Sequence, residues 1–195
     1  GNLPIVLSVS EPGYLPFTEE NLSKNTELRK VKEETLLRDS MICSFCNFKS
    51  QPTRQQFTEI IHLDGNYNNN TLDNLTTICP LCNSCFHLEC VGMDDVINGV
   101  LIFAPELTQS QINHIARTYF YTEGCREREA MKQKQKSGKE KDGDNKLQEI
   151  TDTLIDTSAS LYASLKSRMS ECESLIGTAS PKVLGSALES FAFGD

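Results

Sequence analysis

Cys43-x-x-Cys46 and Cys79-x-x-Cys82 form two C-x2-C pairs separated by 32 residues. A zinc ion takes four soft ligands in a tetrahedron, about 2.3 Å from each sulfur, and a C-x2-C turn aims two thiolates at one ion. Two such turns complete the shell, so the spacing predicts one structural zinc ion on Cys43, Cys46, Cys79 and Cys82. Disulfides are the competing use of an even cysteine count, but paired C-x2-C spacing suits them poorly. Asn47, directly after the first pair, tolerates the left-handed backbone that such a knuckle needs.

The ligand set stays open at its edge. Cys85 continues a three-residue rhythm from Cys79 and Cys82, so one thiol could replace another, and His87 and Cys90 are further donors. If the second pair opens a helix, Cys85 lies one turn on and is a buried neighbour. Too few donors remain for a second ion. Cys125 and Cys172 stand alone in helical context and read as small core residues.

The elements that must hold these thiols are short. Asn25-Thr26 caps a helix running to about Arg38, with Leu28, Val31, Leu36 and Leu37 on its apolar side. Residues 57–63 and the VLIFA run at 100–104 read as strands, the second closed by Pro105. Residues 65–70, GNYNNN, form a polar loop. Thr108 and Gln111 make a capping box, and Leu107 with Ile112 a hydrophobic staple, for a helix over about 108–121. Leu147, Ile150, Leu154, Leu161, Leu165, Met169, Cys172 and Ile176 predict one long amphipathic helix stopped at Gly177. Ser180-Pro181 starts a final short helix as N-cap and N1. Residues Lys132 to Lys146 hold no apolar side chain, so the basic run from Arg126 reads as a solvated linker or a frayed helix end. The organisation expected is an HNH-like zinc-binding domain with an N-terminal helix over 1–125, a charged linker over 126–146 and a helical region over 147–195.

Composition bounds the function. A chain of 195 residues, 38% hydrophobic and without Trp, suits one small domain with an appendage and excludes a large multi-domain enzyme. Its net charge is -8. Residues 41–125 hold 3 basic and 8 acidic side chains, a net of -5, which would repel nucleic-acid phosphates. No run approaches the ~18 apolar residues of a membrane span, and no signal-peptide core opens the chain. A first residue of Gly1 rather than Met reads as an excised chain.

Arg38-Asp39, the two C-x2-C pairs, a strand ending in His62 and the Asn74-Leu75 step together resemble the HNH endonuclease pattern. The fold class expected is therefore α+β, a small HNH-endonuclease-like zinc core followed by C-terminal helices. The resemblance places His62 as general base, Asn74 as the orienting asparagine and Asn83 at the last metal position. Ile61 stands where the first ligand of the catalytic metal belongs, and its hydrocarbon side chain cannot ligate a cation. A metal-dependent nuclease using His62 is thus the alternative reading. In the preferred one His62 is a hydrogen-bonded structural residue with Asp64 as a nearby partner.

The run LDGNYNNNTLDNL, the cysteines at 79, 82 and 85, and the LIFAPELTQ stretch resemble the DotN (IcmJ) family of the Dot/Icm type IVB secretion system. The likeness extends upstream through LLRDSMICSFCNF and downstream through LYASLKSRM and GTASPKVLG. It implies a non-catalytic scaffold in the bacterial cytoplasm, peripheral to the inner membrane. Its implied partners are the C-terminal extension of the coupling ATPase (DotL-like), a DotM-like subunit and the adaptors that recruit effectors, with no nucleic acid.

Overall fold

The computed structural model describes residues 2–11, 26–50, 58–92, 98–135 and 145–194, the side chains of 129, 132–135 and 145–148 excepted. They form a mixed α and β chain with two compact units, Gly1–Leu101 with Ser180–Asp195, and Ile102–Ala179. Phe57 and Asn25 lie outside the described residues.

In the first unit, helix α1 (Thr26–Arg38) precedes a two-stranded antiparallel sheet of β1 (Glu59–His62) and β2 (Leu75–Ile78). The register sets Glu59 opposite Ile78 and His62 opposite Leu75. Period-two alternation puts Ile60 and His62 on one face of β1, and both are buried. Ile60, Leu75 and Leu36 of α1 make one cluster, with Val31 and Met41 at its margin. Leu37, expected on the same side, is 71% exposed, because it lies 100° round the helix from Leu36.

The end of α1 is tied to the sheet by charge. Asp39 accepts from the Thr77 amide at 2.9 Å and from both Nε and Nη2 of Arg38, at 2.7 and 3.0 Å. Arg38 also donates to the carbonyls of Leu72 and Leu75. Burial alone would raise the Asp39 pKa, but Arg38 and the Thr77 amide outweigh it and hold the carboxyl below its ordinary value.

A short helix α2 (Pro80–Asn83) follows β2, then a single 3-10 turn over Leu88–Cys90. The first unit also takes α6 (Pro181–Phe193), entered as expected: Ser180 accepts from the Val183 amide at 3.4 Å and Pro181 sits in the first turn. Gly185 lies directly on the backbone of Leu88 and Glu89.

In the second unit, α3 (Gln109–Gln135) and α4 (Asn145–Ser167) pair, and α5 (Met169–Ile176) continues from α4. The capping box forms: the Thr108 amide donates to Gln111 Oε1 at 2.8 Å and the Gln111 amide to Thr108 Oγ1 at 3.2 Å. Tyr119 stacks on Tyr162 with centroids 4.1 Å apart, and Thr122 Oγ1 meets Ser158 Oγ at 2.8 Å.

Three expectations for this half are corrected. The helix expected to end near 121 runs to Gln135, so the start of the basic run is helical; residues 136–144 lie outside the described residues. The VLIFA run is not a strand. It has no ladder partner among the described residues, and its Phe103 amide turns to the Arg168 carbonyl at 3.5 Å. The long helix is two helices, broken at Arg168, whose ψ of 3° leaves the helical range. There the Arg168 guanidinium pairs with Glu106. The buried face of α4 is Ile155, Ser158 and Leu165, while Ile150, Leu154 and Leu161 are exposed. Gly177 ends α5 as expected, at φ 81°, with its amide donating to the Glu173 carbonyl.

Candidate metal centre

Each cysteine pair is presented by a turn that local sequence explains. In the first, the Asn47 amide donates to the Cys43 carbonyl at 2.8 Å and the Cys43 amide to the Phe48 carbonyl at 2.9 Å. Asn47 takes φ 58°, the left-handed conformation its side chain tolerates. The second pair opens α2: Cys79 is its N-cap residue, Pro80 follows, and the Asn83 amide donates back to the Cys79 carbonyl. The Ser44 amide donates to the Thr77 carbonyl at 3.0 Å, which locks the first turn onto β2 and so onto the second.

The four thiols converge. Their Sγ atoms all lie within 4.8 Å of one another, all four residues are buried, and Cys46 Sγ stands 3.7 Å from Cys79 Sγ. A tetrahedron with metal–sulfur bonds of about 2.3 Å has sulfur–sulfur edges of about 3.8 Å. That separation fits four thiolates around one ion and is far beyond a disulfide bond. Phe45 and Ile78 are buried in the same cluster, and Ile5, Phe48, Ile61, Leu81 and Phe86 pack against it.

Electrostatics favour a cation. Hydrogen bonds from Cys43, Cys79 and Cys82 pull the Cys46 thiol well below its usual range. Crowding by Cys43 and Cys46 pushes Cys82 and Cys79 up. Cys43 is pulled down as well, so two thiols favour the thiolate and two resist it. A divalent ion at the centre would remove the repulsion that further thiolates meet.

The other sulfur and imidazole candidates are engaged elsewhere. Cys85 is buried one turn along, its Sγ 3.4 Å from the Leu81 carbonyl. His87 Nδ1 bonds Ser10 Oγ, and Cys90 Sγ lies 3.8 Å from Glu89. None joins the four-cysteine group. Cys172 is buried as expected, whereas Cys125 is only half-buried on α3.

The residues of the nuclease-like pattern are hydrogen-bonded or packed within the first unit. His62 Nε2 pairs with Asn70 Oδ1 at 2.9 Å, and the ring meets Tyr67 edge-on at 5.4 Å. Asp64 is taken up by the loop instead: it accepts from Asn69 Nδ2 and Asn74 Nδ2, each at 2.8 Å, and from the Asn66 amide. Asn74 also donates to the Asn69 carbonyl at 2.8 Å, closing the asparagine loop on itself. Ile61 packs on the cysteine cluster, and Asn83 Nδ2 donates to Glu59 Oε2 at 2.5 Å.

Sequence reasoning missed Glu59. It sits two residues before Ile61, on the same face of β1, and burial pushes its pKa above the ordinary value, with Asn83 and Lys32 opposing. An acid whose folded pKa is raised carries its penalty when ionised: none below the unfolded pKa, growing as pH rises, complete above the folded pKa. Glu59→Gln keeps an acceptor for Asn83 and removes the charge. It is expected to raise the urea midpoint at pH 7, with the gain vanishing as pH falls to about 4. A gain independent of pH contradicts the assignment.

No helix among the described residues is long and apolar enough to cross a membrane. No family model matches the chain. Fold and site together define a small mixed α and β protein with a zinc-knuckle type of core built from two C-x2-C pairs. The chain is 37% identical over 92 residues to the type 4 apparatus protein DotN of Legionella pneumophila. The match covers 47% of this chain and 41% of the length of that relative.

Proposed function

We propose that this chain is a non-catalytic, zinc-containing scaffold subunit of a type IVB (Dot/Icm) secretion coupling complex. One structural zinc ion is held by Cys43, Cys46, Cys79 and Cys82. The chain binds the C-terminal extension of a DotL-like coupling ATPase, alongside a DotM-like subunit and effector adaptors, in the cytoplasm at the inner membrane. The observation that carries the reading is the identity to a type 4 apparatus protein. The converging thiols support the zinc, since four buried sulfurs within 4.8 Å of one another suit one tetrahedral ion.

Residue chemistry supports a role without catalysis. A metal-dependent nuclease needs a cation beside its general base, and Ile61 offers no ligand. Asn83 is occupied by Glu59, and His62 is 5% exposed. Plasmid DNA incubated with Mg2+, Mn2+ or Ni2+ is expected to remain uncut; cleavage lost in His62→Ala would restore the nuclease reading.

Exposed apolar side chains supply a binding surface. Val183 and Phe191 of α6 are 56% and 91% exposed, eight residues and so about two turns apart on one face. On the helices of the second unit, Ile112 and Ile115 of α3 are half-buried, Leu165 of α4 is buried and Leu161 is exposed. Calorimetry against the C-terminal segment of the cognate coupling ATPase is expected to show binding that changes little between low and high salt. No binding at either salt, with both partners folded, rejects the scaffold reading; binding abolished by salt rejects the apolar mechanism.

A further inference from the structure

Residues 2–11 adopt no regular secondary structure, yet they are fastened along the cysteine core at several points. The Leu3 amide donates to the carbonyl of Ser44, between the first two cysteines, at 2.9 Å. Ile5 packs on the cysteine cluster itself. Beyond it, the Ser8 amide donates to the Cys85 carbonyl at 3.0 Å and the Ser8 carbonyl accepts from the Leu88 amide at 3.1 Å. The segment thus runs from the first knuckle to the chain that follows the second.

Its far end is closed by a buried polar clasp. Ser10 Oγ bonds His87 Nδ1, the Ser10 amide donates to Glu89 Oε1 at 3.2 Å, and that same oxygen stands 3.8 Å from His87 Nδ1. Ser10 and His87 are 4% and 6% exposed. Burial holds the His87 imidazole below its ordinary pKa, against the pull of Glu89. Two polar side chains desolvated this far must satisfy each other, so the pairing is expensive to break.

Elsewhere the segment is weakly held. Leu3, Val6 and Leu7 face solvent, leaving the half-buried Ile5 and Val9 as its apolar holds, with Ile5 the one against the cysteine cluster. A segment with few buried apolar contacts opens at a lower free energy than the whole fold. Opening it uncovers the side of the cysteine cluster that Ile5 covers.

We propose that residues 2–11 are a strap over the metal centre, fastened by the Ser10–His87–Glu89 clasp, and that its opening sets the rate at which the ion leaves. The inference rests on the zinc reading above. It makes Ser10 and His87 positioning residues that act on the ion through the strap, without being ligands.

The test uses the full zinc-loaded chain. Zinc transfer to a colorimetric chelator is timed, and amide hydrogen exchange is followed at Ser8 and Leu88. Ser10→Ala removes one buried hydrogen bond and is expected to speed both about fivefold, with equilibrium zinc stoichiometry unchanged. Ile5→Ser, which leaves the clasp intact, is expected to speed zinc transfer likewise. Unchanged exchange at Ser8 and Leu88 in Ser10→Ala overturns the clasp. Faster exchange with unchanged zinc transfer overturns the gate. A purified chain without zinc fails the metal reading itself, and the amide-exchange arm then decides the clasp alone. Should Ile5→Ser fail to fold, Ser10→Ala decides the question.

Discussion

Replacing Cys79 or Cys46 by Ser is expected to abolish zinc binding and unfold the core of the first unit. The physical reason is scale. A structural zinc site contributes about 10–16 kcal/mol in small domains at neutral pH, whereas whole domains are stable by about 5–15 kcal/mol. The sheet here has two strands of four residues each, and the side chains buried around the thiols are few. A core of that size would lean on a bound ion. The measurement is elemental analysis together with circular dichroism of the variant and of the chelated wild type. Retained structure in a proven zinc-free form would sink the expectation. Cys85→Ser is the internal control, because Cys85 Sγ bonds the Leu81 carbonyl outside the four-thiol group, and it is expected to keep one zinc ion per chain. Acid acts in the same direction as mutation: the ligands bind as thiolates, so protons compete with zinc and affinity falls as pH falls.

The second large effect is expected at Gly185. On an open helix surface, Gly→Ala stabilises by roughly 0.5–1 kcal/mol through backbone entropy. Here the added Cβ would lie 2.5 Å from the Glu89 amide nitrogen and 2.7 Å from the Leu88 carbonyl carbon. These are backbone atoms, so no rotamer change relieves the contact. Overpacking of this kind costs about 1–3 kcal/mol, which exceeds the propensity gain. Gly185→Ala is therefore destabilising, and Gly185→Val more so, with α6 displaced from the 3-10 turn over Leu88–Cys90. Urea unfolding checks the sign, with Ser186→Ala on the exposed side of α6 as the comparison. A Gly185→Ala chain as stable as wild type would show that α6 does not pack at this point.

Much of the site was legible in the chain because its determinants are local. A C-x2-C turn carries its own geometry, so Cys43, Cys46, Cys79 and Cys82 could be paired to one centre before any fold was known. Asn47 at positive φ, the Thr108–Gln111 capping box, Ser180-Pro181 at a helix start and Gly177 at a helix end are of the same kind. Each depends on residues within one turn of one another.

What only the tertiary structure decided depends on residues far apart in sequence. The VLIFA run has strand composition, but a strand needs a neighbouring ladder and none of the described residues supplies one. Periodicity predicts one helix past Arg168, whereas Arg168 leaves helical backbone at a ψ of 3°. There its guanidinium pairs with Glu106 and its carbonyl accepts from the Phe103 amide as well as from Cys172, the first two partners more than sixty residues away. The apolar pattern of α4 named Ile150, Leu154 and Leu161, yet its buried side is set by the partner helix, where Ser158 meets Thr122 and Tyr162 meets Tyr119. His87 and Asp64 drew attention as a spare ligand and a partner for His62. In the fold His87 bonds Ser10, 77 residues upstream, and Asp64 bonds the asparagine loop around it. A sequence determines well those features whose energy is local, because the interacting groups are already neighbours. Features that turn on which distant group gains a buried hydrogen bond wait for the fold that brings the groups together.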